Sequence, residues 1–298
     1  MSDSSLPLVS ICMISYNHKK FIRQAIEGVL MQETNFEYEL VISDDCSPDN
    51  TGLEIQKCID EHPNGKRIKY FQHKVNLGGL PNILFAFNEC SGKYIAICEG
   101  DDYWTDVHKL QKQVDFLEAN EDYSMCCHNA KIVYEDKSQN TRDFSEIYTD
   151  VDFDMSRIIN SWVIPTASMV IRAKFIKPLP EWVKNIYSID FTLALLLMAK
   201  GKIKFLAESL SVYRIDLGGS SMSAVIGGKI EFVANQHIQL LQHFNEETGQ
   251  LYNGLVTKKI EKLQNEIKFL KLRRKSPLLA LFLMPRLFCE KILNKISK

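Results

Sequence analysis

The apolar run 94–98 is followed by Glu99 and Gly100 and then by two adjacent acids, Asp101 and Asp102. Two carboxylates in a dry site repel each other when both are ionised. A divalent cation relieves that repulsion, and hard cations such as Mg²⁺ and Mn²⁺ prefer carboxylate oxygen as a ligand. The pair therefore predicts a Mn²⁺ or Mg²⁺ site that accompanies a phosphate; the alternative is a plain turn with a helix N-cap.

A second acidic pair, Asp44 and Asp45, follows another apolar run, residues 38–42. Both runs are short and continuous, which is typical of strands that are buried on both faces of a parallel sheet. Ligands of such sheets bind at the edge where the carboxyl ends of the strands meet. We therefore expect the two pairs to gather several carboxylates along one edge of the sheet.

The elements that position these acids alternate along the first half of the chain. Apolar runs predict strands at residues 9–14, 38–42, 68–71 and 94–98. Between them, apolar residues recur at helical spacing. The alternation predicts an α/β fold with a doubly wound, mostly parallel central sheet flanked by helices.

The second half of the chain is less regular. Further strands are predicted at residues 124–133, 167–171, 203–206 and 210–214. The acidic segment 135–154 is typical of a loop, and Asp190 opens an apolar helical stretch that Gly201 closes. Beyond residue 227, two long helical patterns run to about residue 275.

The sequence has no glycine-rich phosphate loop. Neither GxxxxGK[ST] nor GxGxxG follows the first predicted strand, where residues 15–18 read Ser-Tyr-Asn-His. This argues against P-loop nucleotide hydrolysis and Rossmann dinucleotide chemistry, and it favours a diphosphate that is held mainly through a metal ion. In such a site Asp45 is able to accept a hydrogen bond from a base N–H, and Asp101 one from a ribose hydroxyl.

Several stretches, in this order, resemble the inverting family 2 glycosyltransferases. They are VSICMISYN (9–17), ELVISDDCSPDNT (39–51), NLGG (76–79), SGKYIAICEGDDYW (91–104), Asp190 with its apolar helix, and LSVYR (210–214). The resemblance covers residues 8 to about 222 and implies a GT-A fold, a nucleotide-binding α/β sandwich. It implies a catalytic domain over residues 1–222, with nucleotide-sugar binding in 1–105 and the acceptor side in 106–222. Residues 223–298 would form a helical, basic extension.

The resemblance also implies roles for individual residues. Asp190 matches the catalytic base, and Asp102 and Asp216 would ligate the metal. The donor would be bound by Ser15, Tyr16, Asn17, Asp44, Asp45, Asn76, Gly78, Asp101 and Arg214. Many members have His where this chain has Asp216, and Ile14 stands where others often have Thr or Pro. Aspartate is also a ligand for hard cations, so the metal role is expected to persist at Asp216.

The expected reaction is transfer of a hexosyl or N-acetylhexosaminyl group from a nucleotide-sugar to a hydroxyl of a glycan or lipid-linked acceptor, in cell-surface polysaccharide synthesis. UDP is the expected nucleotide because Asp45 is able to bind a uracil N–H; dTDP shares that group, and GDP stays open. A sugar nucleotidyltransferase and a non-catalytic glycan-binding module are the alternatives. Trp104 and Trp162 are each open to stacking on a sugar ring or to packing.

The composition is that of a globular protein, with 45% hydrophobic and 24% charged residues among 298. Eight cysteines without a CxxC pair predict reduced thiols and a reducing compartment. The N-terminus shows neither a basic nor an apolar signal region. These features together predict a cytoplasmic protein.

The net charge of −1 hides a basic C-terminus. From Lys258 onward, twelve Lys or Arg residues face three acidic ones, which gives this part a charge of +9. A basic cluster at 271–275 precedes the apolar stretch 276–289, which fits contact of residues 271–298 with the inner face of the plasma membrane. Packing on the protein body or on a second subunit of a homo-oligomer is the alternative. No nucleic-acid recognition module appears.

Overall fold

The computed structural model describes residues 6–216 and 230–276. Its first half alternates strands with helices, as the apolar runs predict. The strands are β1 (Val9–Ser15), β2 (Tyr38–Asp44), β3 (Ile68–Gln72) and β4 (Tyr94–Ile97). The helices are α1 (Ile22–Leu30), α2 (Thr51–Glu61), α3 (Gly79–Glu89) and α4 (Lys109–Ala119). Every residue of β2 is buried, because helices cover both faces of this part of the sheet.

The second half adds strands to the same sheet. They are β5 (Tyr103–Trp104), β6 (Tyr123–Tyr134), β7 (Arg142–Asp143), β8 (Val151–Phe153), β9 (Val170–Arg172) and β10 (Lys202–Ile215). The spatial order is β3-β2-β1-β4-β9-β6-β10-β5, with β7 beside β6 and β8 beside β10. The first four strands are parallel, whereas β9 runs antiparallel to both β4 and β6. The sheet is therefore parallel in the first half of the chain and mixed in the second. Helices α5 (Met155–Asn160) and α6 (Ile189–Lys200) complete this half.

Four predicted elements differ from the structure. The two strands predicted at 203–206 and 210–214 are one strand, β10, which follows β6 through register shifts between Leu206 and Ser209 and between Ser209 and Ser211. The predicted strand 167–171 divides into a 3-10 turn at Thr166–Ser168 and the short β9. The predicted loop 135–154 contains β7 and β8, whose pairing with neighbouring strands supplies hydrogen bonds that its polar sequence does not indicate.

Glu39 on β2 joins three strands at the edge of the sheet opposite the acidic pairs. Its carboxylate accepts hydrogen bonds from the hydroxyls of Ser10 (2.5 Å) and Ser91 (2.8 Å), and it pairs with the Lys69 ammonium at 2.5 Å. Burial alone raises the pKa of Glu39, but these hydrogen bonds outweigh burial and hold the pKa below its ordinary value. The ionised carboxylate therefore stabilises this edge.

The chain divides near residue 225 into two compact units. In the second, α7 (Ile230–Glu247) and α8 (Asn253–Lys275) form an antiparallel pair, since Glu231 at the start of α7 binds Lys271 near the end of α8 at 2.8 Å. The apolar stretch predicted to contact a membrane lies, beyond residue 276, outside the described residues. Among the helices that the structure describes, none has both the length and the apolar character needed to cross a bilayer.

Candidate active site

The ends of β1, β2 and β4 bring the two acidic pairs to one edge of the sheet. Ser15 at the end of β1 lies opposite Asp44 in the register of β2, and the Asp45 amide donates to the Ser15 carbonyl at 2.9 Å. On the other side of β1, the Gly100 amide donates to the Ile14 carbonyl at 3.0 Å. The segment that carries Asp101 and Asp102 therefore begins directly beside β1.

Asp102 combines burial with an unused oxygen. It is 2% exposed, and its Oδ1 accepts a hydrogen bond of 2.9 Å from the Arg214 amide. Its Oδ2 has no hydrogen-bond partner among the residues that the structure describes. Burial raises the pKa of Asp102 well above its ordinary value, and the carboxylates of Asp101 and Glu99 raise it further. Such an oxygen suits a cation, which would offset both the burial and the repulsion.

Glu99 links this pair to the expected catalytic base. Burial, with the nearby carboxylates of Asp101 and Asp190, raises the pKa of Glu99 to about 8. Asp190 lies in the first turn of α6, where its Oδ1 accepts a hydrogen bond of 2.8 Å from the Phe191 amide. The structure therefore brings Glu99, Asp101, Asp102 and Asp190 into one acidic cluster. Glu99 is not among the residues expected to act in the site, although an acid between a buried strand and two further acids is itself a signal.

Arg214 binds the segment that carries Asp101 and Asp102. Its Nε donates to the Asp101 carbonyl at 2.7 Å, and its other nitrogens bind the side chains of Glu135 and Gln24. The guanidinium also lies against the rings of Phe21 and Tyr103. All three guanidinium nitrogens are thus engaged with protein partners. In this arrangement Arg214 positions Asp101 and Asp102, and its expected contact with the donor stays a prediction.

Asp45 organises the NLGG loop. Its carboxylate accepts hydrogen bonds from the amides of Leu77 (2.6 Å) and Gly78 (2.9 Å), and its carbonyl accepts one from the Asn76 side chain. Gly78 has φ +89°, a backbone conformation that favours glycine. Asp45, Asn76 and Gly78 therefore form one unit. Asp44 is fully buried and accepts a 3.2 Å hydrogen bond from the Tyr70 hydroxyl, which is a supporting position.

The loop after β1 faces the same edge. Tyr16 is 37% exposed, and Asn17 has φ +59° while its amide donates to the Ser47 hydroxyl at 3.0 Å. Ser15 is buried, and its hydroxyl has no partner among the described residues. The His18 Nε2 lies 3.7 Å from an Asp101 oxygen, so this loop also reaches the acidic cluster.

The two remaining expectations concern metal ligands and tryptophans. Asp216 follows directly after β10, two residues beyond Arg214. Within residues 6–216 and 230–276, no three His, Cys, Asp or Glu side chains are arranged to hold a metal ion by themselves.

Trp104 is buried, and its indole N–H donates to the Ala167 carbonyl at 2.8 Å, so it packs. Trp162 remains 42% exposed.

The α/β fold with an acidic cluster at the carboxyl edge of its sheet is the arrangement that the resemblance to family 2 glycosyltransferases implies. The sequence model of glycosyl transferase family 2 matches residues 10–178, and the chain belongs to this family. Similarity to curated proteins extends to an uncharacterized protein of Mycobacterium tuberculosis, 32% identical over 206 residues, which are 69% of this chain and 58% of that protein.

A second relative is the UDP-Glc:α-D-GlcNAc-diphosphoundecaprenol β-1,3-glucosyltransferase of Escherichia coli. It is 34% identical over 113 residues, which are 38% of this chain and 42% of that enzyme. The matched regions thus cover less than two thirds of the length of both relatives.

Solved structures share the fold. Staphylococcus aureus TarS in complex with UDP-GlcNAc has a TM-score of 0.58 at 17% identity, over 79% of this chain and 71% of that one. A mannosyltransferase of Pyrobaculum calidifontis in complex with GDP-Man and Mn²⁺ has a TM-score of 0.58 at 13% identity, over 95% and 79%. These likenesses show that the chain has the GT-A fold.

Proposed function

We propose that this chain is a metal-dependent, inverting glycosyltransferase that moves a sugar from a nucleotide-sugar, UDP-linked in the first instance, to a hydroxyl of a glycan or lipid-linked acceptor. The observation that carries the proposal is the Oδ2 atom of Asp102. It is buried among other carboxylates, lacks a hydrogen-bond partner among the described residues, and belongs to a carboxylate that Arg214 fixes in place.

The carboxylate ligands at this site fit a hard cation. Asp102 and Asp216 would hold Mn²⁺ or Mg²⁺, because both offer carboxylate oxygen. Asp216 directly follows β10, the strand whose Arg214 amide binds Asp102. When bound, the cation would offset negative charge on the diphosphate.

The nucleotide would lie across the loops after β1 and β2. The exposed ring of Tyr16 offers a stacking surface for the base, with Asn17 beside it. Asp45 would hold the Asn76–Gly78 loop against the nucleotide base. It would also accept a hydrogen bond from the N–H of that base, since a carboxylate oxygen carries more than one lone pair. Asp101, whose side chain is 28% exposed, would contact the ribose or the sugar.

Asp190 would act as the general base. Its carboxylate would take the proton of the acceptor hydroxyl while that oxygen forms a bond to the anomeric carbon. The bond between this carbon and the diphosphate oxygen breaks at the same time, and the nucleoside diphosphate leaves with the electron pair. Attack from the face opposite the diphosphate inverts the anomeric centre. General-base catalysis of this kind typically contributes about 10²–10⁴-fold to the rate.

A role in cell-surface polysaccharide synthesis is supported by the Escherichia coli relative, whose name gives an acceptor on diphosphoundecaprenol. The charge of +9 beyond residue 258 fits a protein that works at the anionic inner surface of the plasma membrane. Both points concern the acceptor and leave the chemistry at Asp190 unchanged.

A donor screen tests the proposal. UDP-, dTDP- and GDP-sugars are incubated with the full chain and Mn²⁺, and nucleoside diphosphate release is measured alongside a thermal-shift series. We expect one donor class to raise the melting temperature with Mn²⁺ present, and Asp190→Asn to bind that donor but release diphosphate at least 100-fold more slowly. Asp60→Asn, an exposed acid on α2, is the matched control. Pyrophosphate as the product would indicate a nucleotidyltransferase, and no turnover or binding would refute the proposal.

A further inference from the structure

Trp162 is an exposed aromatic side chain that the proposed reaction does not yet use. It keeps 42% of its surface exposed, whereas Trp104 is 1% exposed. Tryptophan is enriched among the residues that dominate binding energies, because it offers a large, rigid contact surface. An exposed indole close to a proposed active site is therefore a candidate ligand contact.

The surroundings of Trp162 hold the indole in a defined position. The residue lies between α5 and the 3-10 turn at Thr166–Ser168, and Ile164, two residues further on, is 1% exposed. The indole meets the Phe191 ring nearly at right angles, at 87° and with centroids 6.4 Å apart. A buried anchor and an edge-to-face contact together pre-organise the ring, which lowers the entropic cost of binding.

The same contact links the indole to Phe191, the residue that follows the proposed base. Phe191 follows Asp190 in the chain, and its amide donates to the Asp190 carboxylate at 2.8 Å. Contacts thus run from the exposed indole through Phe191 to the Asp190 carboxylate.

We propose that Trp162 is the platform on which the acceptor stacks, and that the attacking hydroxyl is carried by a pyranose ring. One face of a pyranose presents several C–H groups, which pack on the negative face of an indole. A lipid alcohol or a polyol phosphate has no such flat, apolar face. The inference rests on the proposed function, because it takes Asp190 as the base that the acceptor must reach.

The experiment compares Trp162→Ala and Trp162→Phe with the wild-type chain, using methyl pyranosides as acceptors. Trp162→Ala is expected to raise the acceptor KM at least about tenfold, the scale of losing one aromatic stacking contact, and Trp162→Phe is expected to restore part of the loss. The donor KM and the slow hydrolysis of donor without acceptor are expected to stay unchanged. Tyr148→Ala, which removes another exposed aromatic, is the control and should leave the acceptor KM unchanged.

Direct binding of the methyl pyranosides, measured by saturation-transfer NMR, gives a second readout that needs no turnover. Loss of binding in Trp162→Ala but not in Tyr148→Ala supports the platform even if no donor is consumed. An unchanged acceptor KM and unchanged binding would overturn the inference, as would an equal loss of donor hydrolysis, which indicates a structural role. Failure of the proposed function is a different result: the wild-type chain would release no nucleoside diphosphate from any donor.

Discussion

Arg214 and Asp102 are joined by a hydrogen bond of 2.9 Å from a backbone amide to a buried carboxylate oxygen, although 112 residues separate them in the chain. Because the donor is a backbone group on β10, this bond survives any substitution of the Arg214 side chain other than proline. It leaves the second carboxylate oxygen available. The bond thus orients Asp102 without using up its capacity to bind a cation.

Asp102→Asn is expected to stabilise the protein without metal and to abolish its response to metal and donor. Burial and the neighbouring acids raise the pKa of Asp102 in the folded state, which lowers stability at pH values above the ordinary pKa of 3.8, and a neutral amide removes this cost. Thermal unfolding without metal should therefore shift upward, while the increase caused by Mn²⁺ with donor should disappear. A lower melting temperature together with a retained Mn²⁺ response would contradict this account.

Gly78→Ala is expected to lower the stability and the donor affinity, whereas Gly79→Ala is expected to change neither. Gly78 has φ +89°, and holding alanine there costs about 1–3 kcal/mol. A Cβ at Gly79 would have no atom within 4 Å, and the residue opens α3 with ordinary backbone angles. Urea unfolding and nucleotide titration of both variants measure the difference. Equal effects of the two variants would mean that the Asp45 contact does not depend on this backbone geometry.

Lys109→Met is expected to stabilise the protein more at pH 6 than at pH 9. The ammonium of Lys109 is fully buried, lies 3.7 Å from the centroid of the Trp104 ring, and has no hydrogen-bond partner among the described residues. Burial lowers the pKa of Lys109 from 10.5 to about 7. The folded protein thus bears the cost of the buried charge below pH 7, and this cost is relieved as the pH rises toward 10.5.

The gain from Lys109→Met at pH 6 is expected to be about 1–3 kcal/mol, with each pKa unit worth about 1.4 kcal/mol and part of the cost offset by the contact with the indole. Urea unfolding at both pH values measures it. Lys66→Met, at an exposed lysine, serves as the control. A gain of equal size at the two pH values would rule out the buried charge as its cause.

Glu39→Gln is expected to destabilise the protein at pH 7 and to have a smaller effect as the pH falls below 4.5. Hydrogen bonds hold the pKa of Glu39 below its ordinary value of 4.5. Its stabilisation is therefore fully present above pH 4.5 and is lost as the pH falls through the lower pKa of the folded state. We expect a loss of about 1–3 kcal/mol at pH 7, measured by unfolding across this range. A difference that stays constant through acid titration of the protein would show that packing, and not charge, is responsible.

The strands and helices of the first half follow from the sequence because each is a single uninterrupted pattern. The strand β10 does not, since the polar residues Glu208 and Ser209 fall where the register shifts and resemble a break between two strands. The acidic edge was predictable from the positions of Asp45 and Asp102 at strand ends. The contacts of Arg214 with Gln24 and Glu135 were not, because they join segments far apart in the chain and depend on side-chain geometry.

The hydrogen bond from β10 to Asp102 has a consequence for truncated forms of this protein. A fragment that stops at residue 105 would retain every residue expected to contact the nucleotide base. It would lose β10, whose Arg214 amide orients Asp102 and whose Arg214 side chain binds the Asp101 carbonyl. The half of the chain that is proposed to bind the nucleotide therefore depends on a strand from the other half. Exchange of the second half between homologous proteins would have to keep β10 together with its own Asp102 segment to preserve the orientation of this carboxylate.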